Sequence, residues 1–332
     1  MATSTDYDVL VIGAGPAGLA AATALGRACR KVAVFDSQEY RNEGVKKMHN
    51  VVLHDGQKPE LYRAAAIKDI SIKYPTVIFI DAVVETATAT ATAVNQMHKF
   101  EVTTTHGGHF RGKKLILATG SKDVFPNIPG YAELWGKGIV HCLFCDGFEK
   151  KDSPAGALGL ESLRDLASVL MAHHMSSNPL TIFLNGESPT REEDQKALRV
   201  AEARGCKVYH HEIRRLSRNS ANGYVLIEFT DDSQCQIGYL MHHPETVNRA
   251  SSLISELNLE LVQDGGHIQV KNAVGETSVR GCFAAGDTAT ASKIVSVALA
   301  GGTMAGIGAA RQLAMDEGLR AVYQAEGASS TL

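Results

Sequence analysis

Tyr7-Asp8-Val9-Leu10-Val11-Ile12-Gly13-Ala14-Gly15-Pro16-Ala17-Gly18 decides how the rest of the chain is read. Its first six residues form a short apolar run with the look of a buried strand, and a Gly-x-Gly-x-x-Gly turn comes next without a gap. The alanine-rich stretch Leu19 to Arg27 then reads as a helix. A second apolar run, Lys31 to Phe35, ends at Asp36, which lies 18 residues beyond Gly18. In this order, Gly13 permits the tight turn, Gly15 lets a pyrophosphate approach the backbone, and Gly18 lets helix and strand pack closely. Pro16 and Ala17 lie in the turn at the cofactor, and the helix N-terminus presents its free N–H groups and positive dipole end to the phosphates. Asp36 is placed to accept ribose hydroxyls. The turn predicts a dinucleotide site in an α/β protein and leaves the choice between FAD and NAD open.

Three later stretches make that choice. Leu115-Ile116-Leu117-Ala118-Thr119-Gly120 is a strand running into a small-residue turn, with Pro126-Asn127-Ile128-Pro129-Gly130 beyond it. Gly281-Cys282-Phe283-Ala284-Ala285-Gly286-Asp287 is another short strand ending in Gly-Asp. Lys293 to Gly308 reads as a helix rich in small residues. In these motifs and their order the chain resembles the low-molecular-weight thioredoxin reductases. The resemblance implies two Rossmann-like dinucleotide-binding domains, the second inserted in the first, with FAD as cofactor and a homodimeric assembly. The FAD domain is expected at 1–124 and 246–332, and the inserted domain at 125–245. By the same resemblance Ala118, Thr119 and Gly120 border the cofactor, Gly286 and Asp287 hold its ribityl chain, and Lys293, Ile294 and Val295 approach the flavin ring. A helix N-terminus there stabilises negative charge on reduced flavin.

The 332 residues suffice for two domains, each with its own core. Charged residues make up 21% of the chain and the formal net charge is −3, which gives no reason to expect nucleic acid or an anionic membrane as partner. No apolar run approaches the roughly 20 residues of a membrane helix. The polar stretch from Met1 to Asp8 lacks the apolar region of a secretory signal, so a cytoplasmic protein is expected.

The chemistry is expected in His141-Cys142-Leu143-Phe144-Cys145-Asp146-Gly147. Two cysteines three apart in a helical turn come within a small adjustment of disulfide geometry. In a reducing compartment such a pair is catalytic rather than structural. Zinc would require four ligands, and Cys29, Cys206, Cys235 and Cys282 are isolated, so no metal is expected. His141 and Asp146 flank the sulfurs and are the candidate proton carriers. The other histidines, including the adjacent pairs His173-His174, His210-His211 and His242-His243, are read as solvated or packing residues.

Cys-x-x-Cys-Asp-Gly is shared with thioredoxin reductases, whose inserted domain carries a second glycine turn for NADPH and basic residues for the 2′-phosphate. Here Ala155-Gly156-Ala157-Leu158-Gly159-Leu160-Glu161-Ser162 places its glycines three apart, with no third in register. The stretch 185–194, after the strand Leu180 to Leu184, is mostly acidic and offers only Arg191 to a phosphate. A flavin, a cysteine pair and a degraded nicotinamide motif resemble the dithiol oxidases that close disulfides in natural products such as gliotoxin and holomycin. That resemblance implies a small dithiol as substrate. Its thiolate attacks Cys142, Cys145 passes the electrons to the flavin, and O2 reoxidises the flavin with release of H2O2. An NADPH-dependent thioredoxin reductase and a non-catalytic flavin-binding redox sensor are the alternatives.

Overall fold

The computed structural model describes residues 5–90, 99–160, 163–176, 178–263 and 265–325. Its chain divides into two compact units. One comprises Met1–Glu43, Gln57–Lys122 and Thr246–Leu332, and the other Gly44–Gly56 and Asp123–Glu245. The segment Gly44–Gly56, expected with the first domain, therefore packs with the second unit.

The first unit starts with β1 (Thr5–Ile12), α1 (Pro16–Arg27) and β2 (Val32–Asp36), the elements read from the glycine turn. Next come α2 (Pro59–Lys73), β3 (Val77–Asp81) and three antiparallel-linked strands, β4 (Val84–Thr90), β5 (Lys99–Thr104) and β6 (His109–Leu117). Residues 91 and 92, the end of a Thr/Ala tract, lie outside the described residues. β2 is buried at all five positions, as expected of a strand covered on both faces. The glycines set the turn. Gly13 adopts φ +108° and donates its N–H to the Phe35 carbonyl at 2.8 Å. A Cβ on Gly18 would sit 1.8 Å from the Gly13 carbonyl oxygen, so only glycine lets α1 approach so closely.

After β7 (Ser121–Asp123) the chain enters the second unit: α3 (Tyr131–Leu134), β8 (Ile139–Val140), α4 (Leu143–Asp146), β9 (Ala155–Leu158), α5 (Leu163–Met175), β10 (Thr181–Phe183), α6 (Glu192–Ala203) and β11 (Lys207–Tyr209). An antiparallel meander comes next, β12 (Ile213–Arg218), β13 (Val225–Phe229) and β14 (Gln234–Ile237), and then β15 (Tyr239–Met241). Strands β11-β10-β9-β15-β8 form a parallel sheet. It repeats the first unit's plan of βαβαβ, meander and return strand. The central strand β9 has only four residues, all buried.

The chain returns through β16 (Thr246–Asn248), which pairs with β7. α7 (Ser251–Glu256), β17 (Cys282–Ala284) and α8 (Val295–Ala325) complete the first unit. α7 ends at Glu256, and Asn258 beyond it turns to φ +49°. Leu261 and Ile268 form an isolated bridge. The small-residue helix starts at Val295 rather than Lys293 and runs 31 residues. Its glycines serve packing: a Cβ on Gly302 would lie 2.0 Å from the Ala17 carbonyl oxygen of α1. The finished sheet runs β3-β2-β1-β6-β5-β4, with β17 on the C-terminal half of β6.

On β6, Lys114 is almost fully buried, and its Nζ lies 2.6 Å from Asp316 Oδ2 on α8. Arg280 shares the same carboxylate. Burial lowers the Lys114 pKa and Asp316 pulls it back up. Removing one partner of such a buried pair leaves an uncompensated charge. Asp316→Ala is expected to cost about 3–5 kcal/mol in urea unfolding, whereas Lys114→Met, which leaves Asp316 its Arg280 partner, costs far less. The glycine turn gives a second contrast. Gly15 has ordinary backbone geometry, and a Cβ there meets nothing within 4 Å. Gly15→Ala is therefore expected to keep apoprotein stability while lowering flavin content, measured by absorbance, about tenfold or more. Gly18→Ala is expected to prevent folding of the unit.

Candidate active site

The parallel register of the first unit gathers its expected cofactor residues at one sheet edge. Ile12 pairs with Phe35 and Leu117, and Leu117 with Ala284. Asp36 is the last residue of β2, and Gly13, Ala118-Thr119-Gly120 and Gly286-Asp287 lie just beyond the C-terminal ends of the three strands beside it, the customary ligand edge of an open α/β sheet. The residues fit FAD on a direct observation: the space beside Gly15 is open, and α1 begins there with no side-chain cap on its first N–H groups. Pro16 occupies the first turn. Ala17 and Ala118 are buried. Asp36, also buried, accepts the Tyr40 hydroxyl at 2.5 Å and the Gln38 N–H at 3.0 Å, which fixes its carboxylate at the end of β2. Thr119 Oγ1 lies 3.4 Å from Thr288 Oγ1, tying two of these turns together. Gly120 adopts φ +72°.

Asp287 has a partner that spacing does not reveal. Arg41 Nη1 lies 3.3 Å from Asp287 Oδ2, across 246 residues of sequence. Lys293 Nζ donates to the carbonyls of Asp287 and Thr290, at 2.8 and 3.2 Å, and so braces the turn before α8. Ile294 is partly exposed, and Val295 begins the helix.

The cysteine pair lies in the second unit. β8 pairs with β15, and the chain leaves its C-terminal end through His141 into Cys142. Cys142 and Cys145 are joined as a disulfide, with Cα atoms 5.2 Å apart. Cys142 has extended backbone and caps α4, and its carbonyl accepts the N–H groups of Cys145 and Asp146 at 3.0 and 3.1 Å. Leu143 is buried and anchors the turn in the core with Val140, whereas Phe144 and Phe148 are 68% and 69% exposed. Apolar rings standing in solvent next to a disulfide form a ready contact surface for a small molecule.

Asp146 stands directly after the second sulfur. Burial raises its carboxyl above the usual range, while Lys150 and His49 act in the opposite direction. Burial also lowers the Lys150 pKa. His49, which carries no spacing signal in the sequence, bridges two carboxylates: Nδ1 lies 3.2 Å from Asp55 and Nε2 3.3 Å from Glu149. Asn50, held at φ +62°, donates its side-chain amide to the Phe144 carbonyl at 2.5 Å and its N–H to Asp55 at 2.8 Å. The segment Gly44–Gly56 thereby clasps the redox turn. His141 stacks on Trp135 with ring centroids 5.2 Å apart and planes at 19°.

Within the stretch 155–162 the turn after β9 is made by Gly159. Gly156 sits inside β9, where a Cβ would lie 2.5 Å from Ile237, so it is a packing glycine. Gly159 is the counterpart of Gly13: it adopts φ +75° and donates its N–H to the Phe183 carbonyl at 2.8 Å. Counted from Gly159, the second and third glycine positions fall on Glu161 and Arg164, whose side chains lie outside the described residues. The acidic run opens α6 as Glu192, Glu193 and Asp194, where carboxylates complement the helix dipole. Arg191 forms a bidentate pair with Asp194, at 2.6 and 3.0 Å, and a contact with Glu193 at 3.4 Å. Among the described residues no helix is long and apolar enough to cross a membrane.

Comparison with known proteins identifies the family. The family model for pyridine nucleotide-disulphide oxidoreductases matches residues 7–302. The thioredoxin reductase aclD of Aspergillus oryzae is 36% identical, covering 94% of this chain and 98% of that protein. The thioredoxin reductase sirT of Leptosphaeria maculans is also 36% identical, over 91% and 93% of the two chains. Among solved structures, HlmI superposes with a TM-score of 0.88 at 28% identity over 98% of this chain and 99% of that one. A putative thioredoxin reductase TrxB from Bacillus anthracis gives 0.84 at 28% identity over 94% and 99%. The chain belongs to the pyridine nucleotide-disulphide oxidoreductase family, as a thioredoxin-reductase-like flavoprotein oxidoreductase.

Proposed function

We propose that this protein oxidises a small-molecule dithiol to its intramolecular disulfide, with dioxygen as the terminal acceptor. One observation carries the choice of electron source. The stretch that would bind a 2′-phosphate is the acidic first turn of α6, and its arginine is engaged in a bidentate carboxylate pair. A phosphate would have to compete with Asp194 for that guanidinium and sit against three carboxylates. Electrons then enter from the dithiol side.

A substrate thiolate attacks Cys142 Sγ, the S–S bond breaks, and Cys145 leaves as a thiolate. The second substrate thiol loses its proton and attacks the substrate sulfur of the mixed disulfide. The product disulfide departs and Cys142 is released. The pair now holds two electrons, and re-forming its disulfide gives them up. FAD would be held by the Gly13–Gly18 turn, Asp36, Ala118 to Gly120, Gly286, Asp287 and the start of α8, and would supply the two-electron acceptor that passes the electrons to dioxygen as hydrogen peroxide. Asp146 accepts the thiol protons. Burial, acting against Lys150, makes it a stronger base than an exposed carboxylate. His141, fixed by Trp135, is the second proton carrier.

The Cys-x-x-Cys-Asp-Gly string and the names of the curated relatives favour a second reading, an NADPH-dependent thioredoxin reductase. Anaerobic titration of flavin absorbance separates the two. A dithiol such as dithiothreitol is expected to bleach the flavin and NADPH is not, and admitting air to the dithiol-reduced protein restores colour and yields peroxide. Rapid bleaching by stoichiometric NADPH would establish the second reading. Cys142→Ser and Cys145→Ser should each abolish dithiol turnover while retaining FAD.

The raised Asp146 pKa gives a signed pH effect. Protonated Asp146 cannot accept a thiol proton, so the stopped-flow rate of dithiol-driven bleaching should fall with decreasing pH through a pKa above the usual carboxylate range. Asp146→Asn should remove that limb and slow the step about 10²-fold or more.

A further inference from the structure

The second unit holds a cavity of about 310 Å³ that the redox reaction does not use. It lies at the C-terminal ends of β9 and β15, where Leu158 and Gly159 face Met241, His242 and His243. That is the ligand edge of the second parallel sheet, and the volume is at the small end of the range for small-molecule sites. Its character is not that of a phosphate site. Phe125, Leu158 and Met241 give apolar walls, Asp165 and Glu245 bring two carboxylates, and no lysine or arginine occurs among its described lining residues. His243 Nδ1 lies 3.5 Å from Asp165. His242 is a fixed part of the wall, with Nδ1 2.6 Å from the Tyr131 hydroxyl. Burial pushes its pKa down to about 4, with His243 adding to the effect and Asp165 opposing it, so it adds no positive charge near neutral pH.

We propose that this cavity is a binding site for a small flat organic molecule carrying N–H donors or positive charge, and that it excludes nucleotide phosphates. The apolar walls take the flat face of the ligand, and Asp165 and Glu245 take its donors. The site is coupled by contact to the redox turn. Phe125 lies 4.8 Å from Trp135 between ring centroids, and Trp135 stacks on His141, the neighbour of Cys142. The inference rests on the second unit's own geometry and does not depend on the dithiol reading.

Benzamidine and benzoate, nearly equal in shape and opposite in charge, test it. Trp135 is the single tryptophan of the chain and reports occupancy through its fluorescence. Equilibrium dialysis of the same holoprotein detects binding that leaves the fluorescence unchanged. Benzamidine is expected to bind saturably and at least about tenfold tighter than benzoate, about 1.4 kcal/mol, without displacement by NADP+. Asp165→Asn should bring the two ligands to within about threefold of one another, and Glu245→Gln should act in the same direction, with flavin content and circular dichroism unchanged. Benzoate binding as tightly as benzamidine, displacement by NADP+, or no saturable benzamidine binding by dialysis would overturn the proposal. So would an unchanged preference in both carboxamide variants.

Discussion

The approach of one backbone to another at the Gly13–Gly18 turn governs the first unit. The Gly13 carbonyl occupies the place where any other residue at position 18 would carry its Cβ. The Gly13 N–H is meanwhile committed to the Phe35 carbonyl, which holds β1 and β2 in register. These two contacts aim α1 across the end of the sheet, leave the space beside Gly15 open, and bring Asp36 to the same edge. α8 then packs on α1 through its own missing side chains at glycine positions. A strand edge, a helix terminus and a carboxylate are brought together by backbone geometry before any side-chain chemistry is involved.

The second unit repeats the opening of that scheme and then departs from it. Gly159 reproduces the φ and the hydrogen bond of Gly13, so the strand–turn exit is kept. Counted from Gly159, Glu161 occupies the second glycine position of the pattern. Glu192, Glu193 and Asp194 complement the dipole at the start of α6, and Asp194 holds Arg191. The edge holds a cavity whose described lining includes Asp165 and Glu245. The redox turn of the same unit carries a carboxyl and an ammonium that burial shifts toward one another, Asp146 up and Lys150 down. Proton transfer near a disulfide calls for groups of that kind.

Contiguity in the chain decides what can be read from sequence. The first glycine turn, Asp36 and the cysteine pair are local patterns whose geometry arises from residue spacing. Arg41 beside Asp287, and His49 between Asp55 and Glu149, are products of topology, and no spacing rule joins residues 246 or 100 positions apart. Gly156 and Gly159, three apart, look alike as letters, and only the acceptor at Phe183 distinguishes the turn from the strand. His242 and His243 are neighbours in sequence, and that adjacency gives no hint that Tyr131 holds His242 at the wall of a cavity. The helix beginning at Val295 outruns its small-residue signature because the remaining turns, with Lys114 salt-bridged to Asp316, are held by charge as well as by packing.

The clasp formed by residues 44–56 has a consequence for how this protein can be recombined. The unit that bears the disulfide looks like a removable cassette, since residues 123–245 enter and leave through the paired strands β7 and β16. Its redox turn, however, is held by His49 and Asn50, which are encoded well upstream of the cassette. A chimera that exchanged only the contiguous insert between relatives would pair one protein's clasp with another's cysteines. The natural unit of exchange is therefore a two-piece one, and sequence divergence in the loop and in the turn is constrained to proceed together.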